Sequence, residues 1–207
     1  MPENETVDQA ILGYLRASSN GTSERLLAAT GEAGVRRMLS IHFGEATEPF
    51  SFPPELSRRG AIDLLSAALR VVATATPAAF ITGLAGRDLS GLGHLSVLAI
   101  LGGVDDPRAT GILCSYVGDE EWLTRYNAVS ALVRRADPVG RGAVESALSD
   151  SNLVVRAEAI KGVSRWDKAR AIALYKGLLA EEAITPLLRA DAEAAIRDLR
   201  AGRPVQE

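Results

Sequence analysis

The sequence predicts an all-α fold in which repeated helix pairs stack as a solenoid behind an N-terminal helical cap. The first observation is a set of acidic residues that recur 31 positions apart: Asp88, Asp119 and Asp150. Six positions after each of them stands a nitrogen-bearing side chain: His94, Arg125 and Arg156. Prolines recur in step, at spacings of 30 and 31, and each opens a short apolar segment: Pro77, Pro107 and Pro138. A period near 31 residues with two helical patterns in each unit is typical of a helical solenoid.

The composition agrees with closely packed helices. Of the 207 residues, 47% are apolar but only 5% are aromatic, whereas sheets favour aromatic and β-branched side chains. The net charge is −3, so the chain carries no general basic field of the kind that attracts nucleic acid. Cys114 is the only cysteine, which excludes an intrachain disulfide, a cysteine-rich metal site and a paired-cysteine redox centre.

The N-terminal sequence and the longest apolar region bear on location. The first ten residues, MPENETVDQA, are acidic and polar, whereas a signal peptide needs a basic start and an apolar run. Arg70 and Pro77 interrupt the longest apolar region, residues 67–86, which makes it a poor membrane-spanning helix. We therefore expect a cytoplasmic protein without a membrane segment.

Residues 1–54 are predicted to form the N-terminal helical cap and a proline-rich connector. Thr6 and Gln9 form a capping-box pattern that predicts a first helix, to about Ala17. A short second helix and a third helix ending at Gly44 follow. Residues 45–54 contain three prolines, so we expect an extended connector and a domain boundary after it.

Residues 55–200 are predicted to form the repeat array, and residues 201–207 a frayed tail. A long helix starts near Glu55, and four helix pairs follow it. The predicted pairs are Pro77–Ala85 with Ser90–Gly102, Pro107–Val117 with Glu121–Arg134, Pro138–Leu148 with Asn152–Arg165, and Asp167–Ala180 with Thr185–Arg200. In the last pair Arg189 continues the arginine column, but Ala183 stands six positions before it, so the acid of that column is lost.

At these columns the chain resembles the HEAT-repeat family, including its bacterial HEAT-like, bilin-lyase-type relatives. The family pattern D-x5-R-x2-A-x3-L stands here as Asp119, Arg125, Ala128, Leu132 and as Asp150, Arg156, Ala159, Val163. The resemblance covers about residues 77–199 and implies a right-handed, armadillo-like superhelix. It also implies a structural ladder between neighbouring repeats, formed by Asp119, Arg125, Asp150 and Arg156. His94 departs from the arginine column, which weakens the ladder toward the N-terminus. The same scaffold hosts many unrelated functions.

The second helices of such repeats line the concave face, which is the predicted partner-binding surface. Aromatic residues beside arginine are typical interface anchors. The candidates are Trp122, Tyr126, Glu158, Lys161, Arg165 and Trp166. The alternative is structural: an acidic first turn that complements the helix dipole, with Trp122 packed against an adjacent repeat.

The residue types that usually carry chemistry are sparse. His42 and His94 have no second ligand at metal-binding spacing, and Cys114 lies in an apolar helical pattern that favours a buried, inert thiol. No phosphate-binding loop, dinucleotide-binding motif or nucleophile elbow is present. We therefore predict no catalytic residue, no cofactor and no metal.

The leading hypothesis is a protein-binding scaffold, an adaptor or regulatory subunit without chemistry of its own. The expected partner is another protein, and neither nucleic acid nor a membrane is expected. The first alternative is an enzyme on a HEAT-like scaffold, since the resemblance implies bilin-lyase-type or DNA-glycosylase-type relatives. The acidic net charge disfavours the DNA-binding version. The second alternative is a structural packing module within a self-assembled complex.

Overall fold

The computed structural model describes residues 2–17, 21–47, 50–54 and 57–205. Its regular structure over those residues is helical, without a strand, so the predicted all-α class is confirmed. Those residues form twelve α-helices: α1 Pro2–Arg16, α2 Gly21–Ala28, α3 Gly31–His42, α4 Arg58–Ala75, α5 Pro77–Gly83, α6 Leu95–Leu101, α7 Arg108–Ser115, α8 Trp122–Arg135, α9 Arg141–Ser146, α10 Leu153–Val163, α11 Lys168–Leu179 and α12 Pro186–Arg200.

The helices fall into two compact units. Unit 1 comprises Met1–Asp88 with Val104–Asp106, and unit 2 comprises Leu89–Gly103 with Pro107–Glu207. The units therefore group α4 and α5 with the first three helices, whereas the sequence places residues 55–85 in the repeat array. The domain boundary after residue 54, the right-handed superhelix and the N-terminal cap stay predictions.

Unit 1 is built around α4, which packs against α1, α2, α3 and α5. Its core holds large apolar side chains with no exposed surface: Ile11, Leu27, Met38, Leu39, Leu69 and Phe80. A buried guanidinium joins two of its helices, because Arg37 donates from Nε and Nη2 to the two carboxylate oxygens of Asp8, both at 2.7 Å. The predicted helix start at Thr6 is wrong. α1 begins at Pro2, since proline suits the first turn of a helix and needs no N-cap at Thr6.

The connector predicted at residues 45–54 is not helical where the structure describes it. Phe50 and Phe52 pack against each other there with their rings edge to face, 5.0 Å between centroids. Among the described residues, no single helix is long and apolar enough to cross a membrane. One bent pair, α4 with α5 at 119°, meets that test by length and composition only.

Unit 2 contains the regular part of the repeat. The first helices α7, α9 and α11 pack against the second helices α8, α10 and α12, and α8 also lies against both α6 and α10. Side-chain caps set where several of these helices begin, because each cap satisfies a backbone N–H that has no partner within the helix. Asn152 caps α10, Asp167 caps α11 and Thr185 caps α12. These three residues are the predicted starts of those helices.

Two predicted helices of unit 2 are shorter than expected. The segment predicted as one helix from Ser90 begins with a 3-10 turn, Leu92–His94, and α6 starts after it. Gly91 precedes the turn with a φ of 83°, which is open to glycine and strained for other residues. The segment from Pro138 likewise has 3-10 turns on both sides of α9.

Candidate functional site

One side of unit 2 carries a buried ion pair between consecutive helix pairs. Arg125 donates from Nε to Oδ2 of Asp150 at 2.6 Å and from Nη2 to Oδ1 at 2.8 Å. Its Nη1 donates to the carbonyl oxygens of Asp119 and Glu120, both at 2.9 Å. The side chains of Arg125 and Asp150 are 13% and 6% exposed. Asp119 thus contributes its backbone oxygen to Arg125, whereas its carboxylate accepts from the Glu121 N–H.

Two effects act on the Asp150 carboxyl. Burial alone would raise its pKa, but hydrogen bonds from Arg125 and from the Asn152 N–H, with the nearby positive charges, hold the pKa below the ordinary value. The same pairing raises the pKa of Arg125. The pair is therefore ionised at neutral pH and fixes the register of α8 against the turn before α10.

Arg156 repeats this arrangement with an acid that sequence reasoning missed. Its Nη1 donates to Oε1 of Glu181 at 2.7 Å, and Glu181 stands 31 residues after Asp150. Ala183 stands six positions before Arg189, whereas the 31-residue spacing from Asp150 leads to Glu181. This pair is more open, with side chains 25% and 40% exposed, and Nε of Arg156 is buried without a hydrogen-bond partner.

The second helices of unit 2 border two adjacent cavities. The smaller, of about 150 Å³, lies between α8 and α10, and the larger, of about 390 Å³, lies between α10 and α12. Tyr126, Glu158 and Lys161 line both cavities. We refer to these three residues as the shared wall, and to the larger space as the α10–α12 cavity. Three of the six predicted partner-binding residues therefore lie together.

Glu158 and Lys161 form a buried ion pair within the shared wall. Lys161 Nζ donates to Glu158 Oε2 at 3.2 Å and lies 3.1 Å from Oε1. Oε1 is buried and accepts no hydrogen bond from the described residues, so the ammonium group contacts it through charge alone. Glu158 is only 7% exposed. A carboxylate so placed retains an unused acceptor site, which is costly inside a protein.

Two tyrosines border the same carboxylate. Burial raises the pKa of Tyr126 and of Tyr175, and the negative charge of Glu158 raises both further. Asp191 adds to the effect on Tyr175. Both hydroxyls therefore stay protonated at neutral pH and can donate hydrogen bonds. Neither hydroxyl has a hydrogen-bond partner among the described residues.

The other three predicted partner-binding residues lie elsewhere. Trp122 is the first residue of α8, is 39% exposed and lines neither cavity of the shared wall. Arg165 and Trp166 line a separate cavity of about 210 Å³ between α8 and α9. There the Arg141 guanidinium lies 5.2 Å from the centroid of the Trp166 ring. The structure thus divides the predicted surface among three places.

The α10–α12 cavity also contains residues that the sequence did not single out. Tyr175 comes from α11, Asp191 and Asp198 come from α12, and Val205 comes from the C-terminal tail. The repeat pattern could have indicated the two aspartates. They follow Arg189, the last member of the arginine column, by two and nine positions and so lie on a second helix. Tyr175 belongs to a first helix and gave no such signal.

The environment of Cys114 does not activate its thiol as a nucleophile. Burial and the negative charge of Asp137 raise the pKa of the Cys114 thiol, which lowers its nucleophilicity at neutral pH. The described residues contain no group of three or more histidine, cysteine or acidic side chains placed to hold a metal ion.

The chain was compared with protein-family models, curated proteins and solved structures. None of the three comparisons gives a significant match.

Proposed function

We propose that the repeat array is a right-handed, HEAT-like α-solenoid whose second-helix face binds another protein. In this proposal the chain acts as an adaptor or regulatory subunit and performs no chemistry of its own. The binding surface is the shared wall and the two cavities that border it.

The observation that supports the proposal is the position of the shared wall. Tyr126 comes from α8 and Glu158 and Lys161 come from α10, while α12 closes the far side of the larger cavity. Three successive second helices thus contribute to one continuous, partly concave surface. Concave surfaces built from successive repeats are how solenoid proteins bind extended partners.

The side chains of this surface suit recognition of a polypeptide. Tyr126 offers an aromatic ring and a hydroxyl donor without a partner among the described residues. Glu158 offers an acceptor, and Val154 offers apolar surface with 39% exposure. Interfaces combine such rigid aromatic anchors with a few buried polar groups. A phosphate backbone is a poor fit, because Lys161 is the only cation that the described part of the chain places along the larger cavity, and it pairs with Glu158.

The test is affinity capture from a lysate of the organism of origin with tagged full-length protein. Wild type is compared with Tyr126→Ala and Lys161→Gln, and bound proteins are identified by mass spectrometry. Lys176→Gln is the matched control, since Lys176 is an exposed lysine of α11 that lines neither cavity. Thermal melting of each variant checks that the fold is retained.

We expect a stoichiometric protein that is captured by wild type and by Lys176→Gln and is lost with Tyr126→Ala. Capture that survives Tyr126→Ala and Lys161→Gln in folded protein would move the binding surface elsewhere. Recovery of a pigment or of nucleic acid instead of a protein would favour the enzyme alternative. Trp122→Ala tests one of the three candidates outside the shared wall, because Trp122 lines neither cavity.

A further inference from the structure

The α10–α12 cavity has an excess of acidic side chains. Three carboxylates line it, from Glu158, Asp191 and Asp198, against the single ammonium group of Lys161. Lys161 is already paired with Glu158. Asp191 forms neither a hydrogen bond nor an ion pair with any described residue. The cavity therefore presents an uncompensated negative charge at the exposed Asp191 and an unused acceptor at the buried Glu158.

A second, independent observation is a buried tyrosine without a hydrogen-bond partner. Tyr175 is 4% exposed and lines the cavity, yet its hydroxyl bonds to none of the described residues. The charges of Glu158 and Asp191 both act on this hydroxyl, so it lies in the field of the two carboxylates. The hydroxyl oxygen itself is open to solvent, since it is not among the buried atoms that lack a partner. It can therefore exchange its water for a polar group of a ligand in the cavity.

The walls of the cavity between these polar groups are apolar and small. They include Ala157 of α10 and Leu188, Ala192 and Ala195 of α12. A methylene stem can lie along such walls while its charged head meets the carboxylates, as the long side chains of lysine and arginine commonly do.

The chain itself supplies an example of this recognition at the edge of the cavity. Arg203 of the C-terminal tail donates from Nε and Nη2 to Oδ1 of Asp198, at 3.0 and 2.6 Å. One of the three acids lining the cavity is thus already bound by a guanidinium. Asp191 lies seven residues earlier on the same helix and has no such partner among the described residues.

We propose that the α10–α12 cavity takes a basic side chain, arginine or lysine, from the bound partner protein. Asp191 at the opening binds the cationic head, and the negative charge of Glu158 deeper in the cavity attracts it. The stem packs on the alanines of α10 and α12. The half-buried ring of Tyr126 adds cation–π surface. This proposal rests on the proposed function and specifies the chemistry of its partner.

The test uses short peptides as probes of the full-length protein. The first probe is acetyl-Ala-Ala-Arg-Ala-Ala-amide, and the second replaces arginine with citrulline, which has nearly the same shape without the charge. Binding is followed by the NMR shifts of the methyl groups of Ala192 and Ala195, which line the cavity. We expect saturable shifts with the arginine peptide and at least about tenfold weaker binding of the citrulline peptide, since charged hydrogen bonds exceed neutral ones by roughly that factor.

Two variants then test whether the Asp191 carboxylate binds the arginine peptide. Asp191→Asn is expected to weaken the arginine peptide by about fivefold, the size of a partly exposed ion pair. Glu193→Gln removes the same charge from an exposed neighbour that does not line the cavity, and it is expected to leave binding unchanged. Equal binding of both peptides, equal effects of the two variants, or no shift with the arginine peptide would overturn the proposal.

The outcomes also separate this proposal from the proposed function. A captured partner that is lost with Tyr126→Ala but binds Asp191→Asn with the affinity of wild type would keep the binding function and exclude the basic side chain. Peptide binding that depends on Asp191, without any captured protein, would keep the charge preference of the cavity and contradict the adaptor function.

Discussion

Two neighbouring junctions of unit 2 differ in how their helices meet. At the junction of α8 with α10, the two helices pack directly. A Cβ added at Gly162 would lie 2.7 Å from side-chain carbons of both Val133 and Val144, so one of these valines would have to move. The cavity between the same two helices, of about 150 Å³, is the smaller of the two. At the next junction α12 packs on α11 and shares a hydrophobic core with α10, and the larger α10–α12 cavity, of about 390 Å³, lies between these two second helices.

The sequence register differs between the same two junctions. Arg125 and Arg156 are 31 residues apart, but Arg156 and Arg189 are 33 apart. Glu181 still keeps the 31-residue spacing from Asp150, so the two additional residues lie between Glu181 and Arg189, just before α12. Two additional residues in the turn thus leave the ladder contact of Arg156 with Glu181 intact, while the cavity beside the following second helix is larger than the one at the previous junction.

The largest expected effect is at the closed junction, where Arg125→Ala removes the partner of a buried carboxylate. Asp150 is 6% exposed in its side chain, and two backbone carbonyls also lose their donor. We expect the free energy of unfolding to fall by about 3 kcal/mol, as when one member of a buried pair is removed. Urea unfolding measures the change, and a loss below about 1 kcal/mol would place this pair with ordinary surface ion pairs.

The pH dependence sharpens this prediction. The folded-state pKa of Asp150 lies below the ordinary carboxyl value, so the pair's contribution is fully present above about pH 4, where the unfolded carboxyl titrates. It is lost as pH falls through the lower folded-state pKa. In Arg125→Ala the guanidinium no longer offsets burial, which raises the carboxyl pKa. The difference in stability between wild type and Arg125→Ala should therefore be largest at neutral pH and should shrink as pH falls toward and below about pH 4.

The second effect tests the tight contact at Gly162. Gly162→Ala forces Val133 or Val144 to move, and such overpacking costs about 1–3 kcal/mol. Gly177→Ala is the matched control on α11, because a Cβ there meets nothing within 4 Å. In a helix interior the control should gain up to about 1 kcal/mol. Thermal unfolding measures the stability of both variants. Equal stability of Gly162→Ala and Gly177→Ala would mean that Val133 and Val144 can move without cost.

The sequence predicted the helices of unit 2 well because their signals are local. The caps Asn152, Asp167 and Thr185 and the recurring small residues are read within one repeat, and all three caps begin helices. The first helix was misplaced at its start, since Thr6 has the residue type of a cap but lies inside α1.

The candidate site could be predicted only in part, because a cavity depends on distances between helices. Tyr126, Glu158 and Lys161 share the second-helix face that the repeat predicts, and the structure brings them together. Trp122 is the first residue of α8 and Trp166 follows the end of α10, and neither lines a cavity of the shared wall. Tyr175 lines the cavity from α11, a first helix, and the pattern within one repeat does not predict that contribution.

A smaller effect is expected for Arg156→Ala at the open junction. Its partner Glu181 is 40% exposed, so water can replace the lost contact. The substitution also removes the buried Nε that has no hydrogen-bond partner, which offsets part of the loss. We expect about 1 kcal/mol or less, measured beside Arg125→Ala by the same urea unfolding. Equal losses in the two variants would show that the ladder is uniform and would contradict the difference between the junctions.

The smallest effect is expected where the open junction has space. Ala194 lines the α10–α12 cavity and is half-buried, so Ala194→Val adds two methyl groups to empty volume rather than to packed atoms. The added apolar contact and the lower helix propensity of valine nearly cancel. The free energy of unfolding should change by less than about 0.5 kcal/mol, in contrast to the single methyl group added at Gly162. A cost near that of Gly162→Ala would mean that α12 closes on α10 in solution, and the cavity would then be unable to hold a partner's side chain.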